Sequence, residues 1–75
     1  MAKVEVYTTS YCPYCTQAKQ YLTKKGVSYR EVDIEASIIG KDAFKKLGGS
    51  GTPLIMVGTT KVDGFEVQEL DRLLQ

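Results

Sequence analysis

A strand, a helix and a second strand follow one another early in the chain, and this order limits the fold more than any other feature. Lys3–Tyr7 alternates polar and apolar residues, which predicts a strand with its valines on one face. Apolar residues recur at helical spacing over residues 13–25, and Tyr29–Ile34 alternates again like a strand. Two strands joined by a helix usually pair in parallel through a right-handed crossover. An α/β protein is therefore predicted.

The second half of the chain predicts a helix, a hairpin and a closing helix. Pro53–Val57 predicts a buried central strand, and Gly58-Thr59 is the two-residue connection of a type II′ hairpin to the strand that follows. The predicted second helix ends at Gly48-Gly49, and its apolar face comprises Ile39, Ala43, Phe44 and Leu47. The predicted closing helix has its apolar face at Val67, Leu70, Leu73 and Leu74. The expected order is β-α-β-α-β-β-α, a four-stranded mixed sheet covered by helices, in one domain spanning residues 1–75.

Charge and hydropathy exclude two classes of partner. Ten Lys and Arg residues against nine Asp and Glu residues give a net charge of +1, which lacks the basic surface that nucleic-acid binding requires. The longest apolar run, Leu54–Val57, is far shorter than the roughly 20 residues of a membrane-spanning helix. Charges at Lys3 and Glu5 interrupt the apolar core that a signal peptide would need. We expect a soluble, cytoplasmic monomer.

Cys12 and Cys15 are the two cysteines of the chain. Neither a stabilising disulfide nor a metal site is a suitable role for them. A disulfide between them would close a very short loop and stabilise the fold by much less than the roughly 3 kcal/mol of a 15-residue loop. The chain contains no His and no second cysteine pair, so we expect no metal site within one chain. Two thiols at this spacing are well suited to reversible oxidation.

The predicted helix start gives the two thiols different properties. Pro13 suits the first helical turn, so Cys12 falls beside the N-terminus, where free N–H groups and the helix dipole stabilise an anion. Cys15 lies one turn further on, where burial disfavours its thiolate. Cys12 is therefore the candidate attacking thiol and Cys15 the resolving thiol. The simpler alternative makes both cysteines small apolar core residues.

The motif at residues 10–15, Ser-Tyr-Cys-Pro-Tyr-Cys, resembles the active-site motif of dithiol glutaredoxins. The resemblance covers nearly the whole chain and includes Val6-Tyr7-Thr8 and Gly51-Thr52-Pro53. It implies a thioredoxin-like fold and a thiol-disulfide oxidoreductase with no permanently bound cofactor. It also implies glutathione as reductant, and disulfide-bonded or glutathionylated proteins as substrates.

The same resemblance implies where glutathione binds. Pro53 is expected to be cis and to face Cys12, while the backbone of Thr52 pairs with the cysteinyl part of glutathione. Gly64 matches one glycine of the family segment that holds the γ-glutamyl end. Tyr14, between the two thiols, is expected to form a wall of the substrate groove.

Two departures from the family pattern leave other functions open. Thr9 occupies the position where many glutaredoxins carry a Lys that meets a glutathione carboxylate. The pair Gly64-Phe65 resembles small redoxins that thioredoxin reductase recharges and that donate electrons to ribonucleotide reductase. A further alternative is an iron–sulfur carrier, in which two chains bridge a cluster through Cys12 and glutathione. Pro13 and the competing Cys15 disfavour that alternative.

Overall fold

The structure, a computed structural model, describes residues 3–49 and 51–74. Its strands are β1 (Val4–Thr8), β2 (Arg30–Asp33), β3 (Leu54–Val57) and β4 (Thr60–Asp63). Its helices are α1 (Pro13–Lys24), α2 (Ile38–Lys46) and α3 (Val67–Leu74). The predicted β-α-β-α-β-β-α order is confirmed. None of these helices is long and apolar enough to cross a membrane.

The four strands form one mixed sheet in the order β2-β1-β3-β4. β1 and β2 are parallel, with Val6 opposite Glu31, as the strand-helix-strand pattern predicts. β3 runs antiparallel to both β1 and β4. Gly58 has a φ of +63° and no non-glycine residue among those described has a positive φ, as the predicted type II′ connection requires. The two inner strands, β1 and β3, form the centre of the fold.

The helices cover opposite faces of the sheet, because successive residues of a strand point to opposite sides. The core beneath α1 and α3 comprises Val4, Val6, Ala18, Leu22, Ile55, Val57, Val62 and Leu70. The smaller core beneath α2 is built on Tyr7, Phe44 and Leu54, with Ala43 and Leu47 packed against it. Both cores meet at β1 and β3. These two strands therefore fix the position of the sheet end at which Cys12 lies.

Two residues predicted to lie on apolar helix faces are exposed instead. Ile39 is 84% exposed and Val67 is 44% exposed. α2 docks through Gly40 and Phe44, which are both buried and one turn apart, so Ile39 lies about 100° away around the helix. Val67 is the first residue of α3, whose buried residue is Leu70, nearly one turn further on. Helical periodicity identified both helices, but the point at which each helix meets the sheet selects the residues that are buried.

Gly40 sets the distance between α2 and the sheet. A Cβ atom at Gly40 would lie 2.4 Å from Cγ1 of Val32 in β2, closer than two carbon atoms can approach. The same glycine donates its N–H to the Oγ of Ser37, the N-cap of α2, at 3.0 Å. The start of α2 is therefore fixed against β2 by a cap and by a contact that only glycine allows.

We expect Gly40→Ala to lower the free energy of unfolding by about 1–2 kcal/mol, because the cost of overpacking against the stiff Val32 side chain exceeds the gain in helix propensity. Gly51→Ala is the matched control, since a Cβ at Gly51 meets nothing within 4 Å in the described part of the chain. Urea unfolding of both variants measures the difference. Equal stability of the two variants would contradict this account of α2 packing.

Candidate redox-active site

Cys12 is the N-cap residue of α1, as predicted from Pro13. Its backbone is extended, with φ −152° and ψ 98°, and Pro13 is the first helical residue. The Sγ atom of Cys12 accepts a hydrogen bond from the backbone N–H of Cys15 at 3.2 Å. The sulfur therefore occupies the place that a Ser or Asp oxygen takes at other helix starts, where an anion is favoured.

Cys15 lies inside the first turn of α1 and is 2% exposed. The two sulfurs are joined in a disulfide, with the Cα atoms 5.2 Å apart. Once the bond is reduced, the helix N-terminus stabilises a thiolate on Cys12, whereas burial raises the cost of a thiolate on Cys15. The pair thus has the geometry of one accessible attacking thiol and one enclosed resolving thiol.

The loop before β3 faces Cys12. The Thr52–Pro53 peptide bond is cis, and the Oγ1 of Thr52 lies 3.5 Å from the Sγ of Cys12, so both parts of the prediction for this loop are confirmed. The N–H of Gly64 donates to the carbonyl of Pro53 at 2.8 Å and brings that glycine beside the same loop. Neither the amide nor the carbonyl of Thr52 is hydrogen-bonded to another residue that the structure describes. These two groups have no hydrogen-bond partner in the described part of the chain, and the binding roles of Thr52, Pro53 and Gly64 stay predictions.

Two tyrosines project from the surface around Cys12. Tyr14 is 62% exposed, and Tyr11 is exposed still further. Exposed aromatic rings beside a reactive sulfur suit contact with a bound peptide or protein. The prediction that Tyr14 forms a wall of the substrate groove is compatible with this position and stays a prediction.

Thr9 lies at the side of the same site. Its Oγ1 atom is 3.5 Å from the backbone oxygen of Tyr11 and 3.5 Å from the Oγ1 of Thr52. At the position where the resemblance leads one to expect a Lys, this chain thus has a hydroxyl that points toward the Thr52 loop.

Glu35 contacts Ser10, in the segment just before Cys12. This contact was not predicted from the sequence. The Oε1 atom of Glu35 accepts hydrogen bonds from both the N–H and the hydroxyl of Ser10, each at 2.7 Å. These two bonds hold the pKa of the Glu35 carboxyl below its ordinary value of 4.5. The signal was available, because parallel strands end at the same edge of a sheet and Glu35 follows β2 as Ser10 follows β1.

A second carboxylate, Glu31, holds the first basic residue of α1. Lys19 Nζ lies 2.9 Å from Glu31 Oε2, and the buried hydroxyl of Thr8 donates to the same oxygen at 3.1 Å. The hydrogen bond from Lys19, and then that from Thr8, lower the pKa of Glu31 against the effect of desolvation. Lys19 therefore pairs with β2 and not with the sulfur of Cys12.

The comparison with known proteins agrees with this geometry. The family model named Glutaredoxin matches residues 4–62. A glutaredoxin of Pseudomonas aeruginosa is 38% identical over 67 residues, which cover 88% of this chain and 80% of that protein.

Solved structures show the same fold. The thioredoxin-like protein BC3987 superposes with a TM-score of 0.89 at 29% identity, covering 95% of this chain and 99% of that one. The NrdH-redoxin of Escherichia coli superposes with a TM-score of 0.85 at 20% identity, covering 95% and 93% of the two chains. At that identity the second likeness concerns the fold alone. The predicted thioredoxin-like fold is confirmed.

The two cysteines should ionise at different pH values. In Cys15→Ser the remaining Cys12 is expected to titrate below the roughly 8.5 of a free thiol, and in Cys12→Ser the buried Cys15 is expected to titrate above it. Ultraviolet absorbance of the thiolate measures both values. In denaturant the two variants should converge, since the helix start and the burial are then lost. If Cys12 ionises no more readily than Cys15 in the folded variants, their assignment is reversed.

The bonds between Glu35 and Ser10 should appear in the acid stability of the protein. A carboxyl whose pKa is lowered by folding stabilises the fold above its ordinary value of 4.5, and that contribution disappears as the pH falls through the lowered value. We expect the wild type to lose more stability than Glu35→Gln between about pH 6 and pH 3. Ser10→Ala, which keeps one of the two donors, should fall between them. Parallel acid profiles of wild type and Glu35→Gln, measured by urea unfolding, would contradict this expectation.

Proposed function

The chain belongs to the glutaredoxin family of thiol-disulfide oxidoreductases, and we propose that it reduces protein disulfides and glutathione mixed disulfides, with glutathione as its reductant. One observation supports the proposal above the others. The Sγ of Cys12 lies at the N-terminus of α1, bonded to the buried Cys15, with the Thr52–Pro53 loop 3.5 Å away. A substrate sulfur can therefore approach Cys12 from the surface while Cys15 remains enclosed.

The reaction on a protein disulfide follows from this arrangement. The Cys12 thiolate attacks one substrate sulfur, a bond forms between them, and the second substrate sulfur leaves and takes up a proton. Cys15 then gives up its proton and attacks the sulfur of Cys12, which releases the first substrate sulfur. The substrate gains two electrons and the protein ends in the Cys12–Cys15 disulfide. Two molecules of glutathione return the electrons and become glutathione disulfide.

A glutathione mixed disulfide needs only Cys12. The Cys12 thiolate attacks the glutathione sulfur of the substrate, which releases the protein thiol and leaves glutathione bonded to Cys12. A second glutathione then attacks the sulfur of the bound glutathione, so that glutathione disulfide is released and the Cys12 thiolate is restored. The open amide and carbonyl of Thr52 support this proposal, since they suit the extended backbone of a tripeptide. Gly64 beside Pro53 and the exposed Tyr14 complete the proposed groove. The reaction requires a supply of reduced glutathione, and the cytoplasmic location is part of the proposal.

A second candidate is an electron donor to ribonucleotide reductase that thioredoxin reductase recharges. Two features favour it. Thr9 provides no cation for a glutathione carboxylate, and Phe65 follows Gly64 and packs edge-on against Tyr21, with the ring centroids 5.9 Å apart. This candidate keeps the same two cysteines and changes only the source and the destination of the electrons.

Two electron sources distinguish the candidates. We expect the wild type to reduce a glutathionylated peptide when glutathione and glutathione reductase are the only electron source. Cys15→Ser should keep this activity and lose the reduction of protein disulfides, since only the second reaction needs the resolving thiol. Cys12→Ser should lose both activities.

The opposite pattern would overturn the proposal. If glutathione does not sustain turnover and thioredoxin reductase does, the second candidate stands. If Cys15→Ser is as inactive as Cys12→Ser on the glutathionylated peptide, Cys12 does not act alone on mixed disulfides.

A further inference from the structure

Two threonine hydroxyls form a chain that ends on the sulfur of Cys12, and the reaction described above uses neither. We propose that Thr52 is a further catalytic residue: in the reduced protein its hydroxyl donates a hydrogen bond to the Cys12 thiolate. Thr9 is the positioning residue, because its hydroxyl donates in turn to the Thr52 oxygen. This chain thus stabilises its attacking thiolate with neutral side-chain donors from two separate loops.

The distances place the two hydroxyls in sequence. The Oγ1 of Thr52 lies 3.5 Å from the Sγ of Cys12, and the Oγ1 of Thr9 lies 3.5 Å from the Oγ1 of Thr52. Both threonines are partly buried, so water competes with these contacts less than at an open surface. The backbone near both threonines is held in place, since the neighbour of Thr52 is the buried Pro53 and the neighbour of Thr9 is tied to Glu35.

The number of protons sets the direction of the chain. A hydroxyl has one proton and two lone pairs, and a thiolate has no proton. When Cys12 is a thiolate, the proton of Thr52 is directed to the sulfur and the oxygen of Thr52 becomes an acceptor. Thr9 can then donate to that oxygen, giving up the alternative of donating to the carbonyl of Tyr11 at 3.5 Å. Each hydroxyl thus polarises the next in the direction of the sulfur.

The interaction is expected to strengthen when Cys12 is reduced. These distances belong to the disulfide state, in which the sulfur is a weak neutral acceptor and the contact is long. A full negative charge on the sulfur shortens and strengthens a hydrogen bond. A donor that binds the charged form of a thiol lowers its pKa, and here Thr52 adds to the backbone N–H of Cys15.

The charged residues near Cys12 do not stabilise its thiolate, so the neutral hydrogen-bond donors matter more for that stabilisation. Lys19, the first basic residue after Cys12 in the chain, is paired with Glu31 at 2.9 Å. Glu35 adds a carboxylate at Ser10, two residues before Cys12, and its charge opposes a thiolate. In the described part of the chain the contacts to the sulfur therefore come from neutral donors, namely the N–H of Cys15 and the hydroxyl of Thr52.

Thiolate titration in a Cys15→Ser background tests the proposal. Thr52→Val, which keeps the shape of the side chain and removes the hydroxyl, should raise the pKa of Cys12 by about 0.5–1 unit, a roughly 3- to 10-fold loss of thiolate. Thr52→Ser, which restores a hydroxyl, should return most of the shift. Thr9→Val should raise the pKa by less, and the double variant Thr9→Val/Thr52→Val should resemble Thr52→Val, because the two hydroxyls act in series.

Thr16→Val is the matched control. The hydroxyl of Thr16 lies 3.5 Å from the backbone oxygen of Cys12 and not on its sulfur, so its loss should leave the pKa unchanged. An unchanged pKa in Thr52→Val would overturn the proposal, as would an equal rise in Thr16→Val. If Thr52→Val does not fold, the Thr9→Val variant is the test. An unchanged pKa of Cys12 in Thr9→Val would then contradict a role for the two hydroxyls.

The inference rests on the proposed role of Cys12 as the attacking thiol, and its test can fail separately from that role. Titration uses no reductant and no substrate, so its result does not depend on whether glutathione or thioredoxin reductase recharges the protein. A low pKa of Cys12 that ignores Thr52 would leave the proposed function in place and remove only the role of the hydroxyls.

Discussion

The direction of the two central strands decides where the chemistry takes place. β1 is parallel to β2 and antiparallel to β3, so the end of β1, the end of β2 and the start of β3 lie at one edge of the sheet. The loop to Cys12 leaves β1 there, the turn with Glu35 leaves β2, and Thr52 precedes β3. Reversal of either pairing would move one of these segments to the opposite edge and dismantle the site.

Short polar contacts then fix the loops that this edge brings together. Ser10 bonds to Glu35 through its amide and its hydroxyl, and Gly64 bonds to the carbonyl of Pro53. Exposed ion pairs contribute little stability on their own, but a carboxylate that accepts two hydrogen bonds from one loop restrains the position of that loop. The reactive sulfur is therefore presented by a loop with little freedom, on a helix start that favours its anion.

Much of the fold follows from local patterns in the chain. Alternation predicted β1 and β2, an apolar run predicted β3, Gly58-Thr59 predicted the hairpin to β4, and Pro13 predicted the start of α1. Errors arose where a helix had to be placed against the sheet. Ile39 is exposed because α2 contacts β2 at Gly40. The spacing of apolar residues in the sequence does not reveal that the Val32 side chain lies opposite Gly40.

The sequence by itself determined the redox pair: two thiols at the start of a helix are expected to differ in acidity, for reasons that lie within one helical turn. The family resemblance predicted that the Thr52–Pro53 loop faces Cys12, but only the tertiary structure decided which side chains contact the sulfur. Thr52 is 40 residues from Cys12 in the chain, Thr9 is 43 residues from Thr52, and Glu35 is 25 residues from Ser10. The physical reason is that helix caps and turns depend on neighbours in the chain, whereas contacts across the sheet edge depend on strand direction and register.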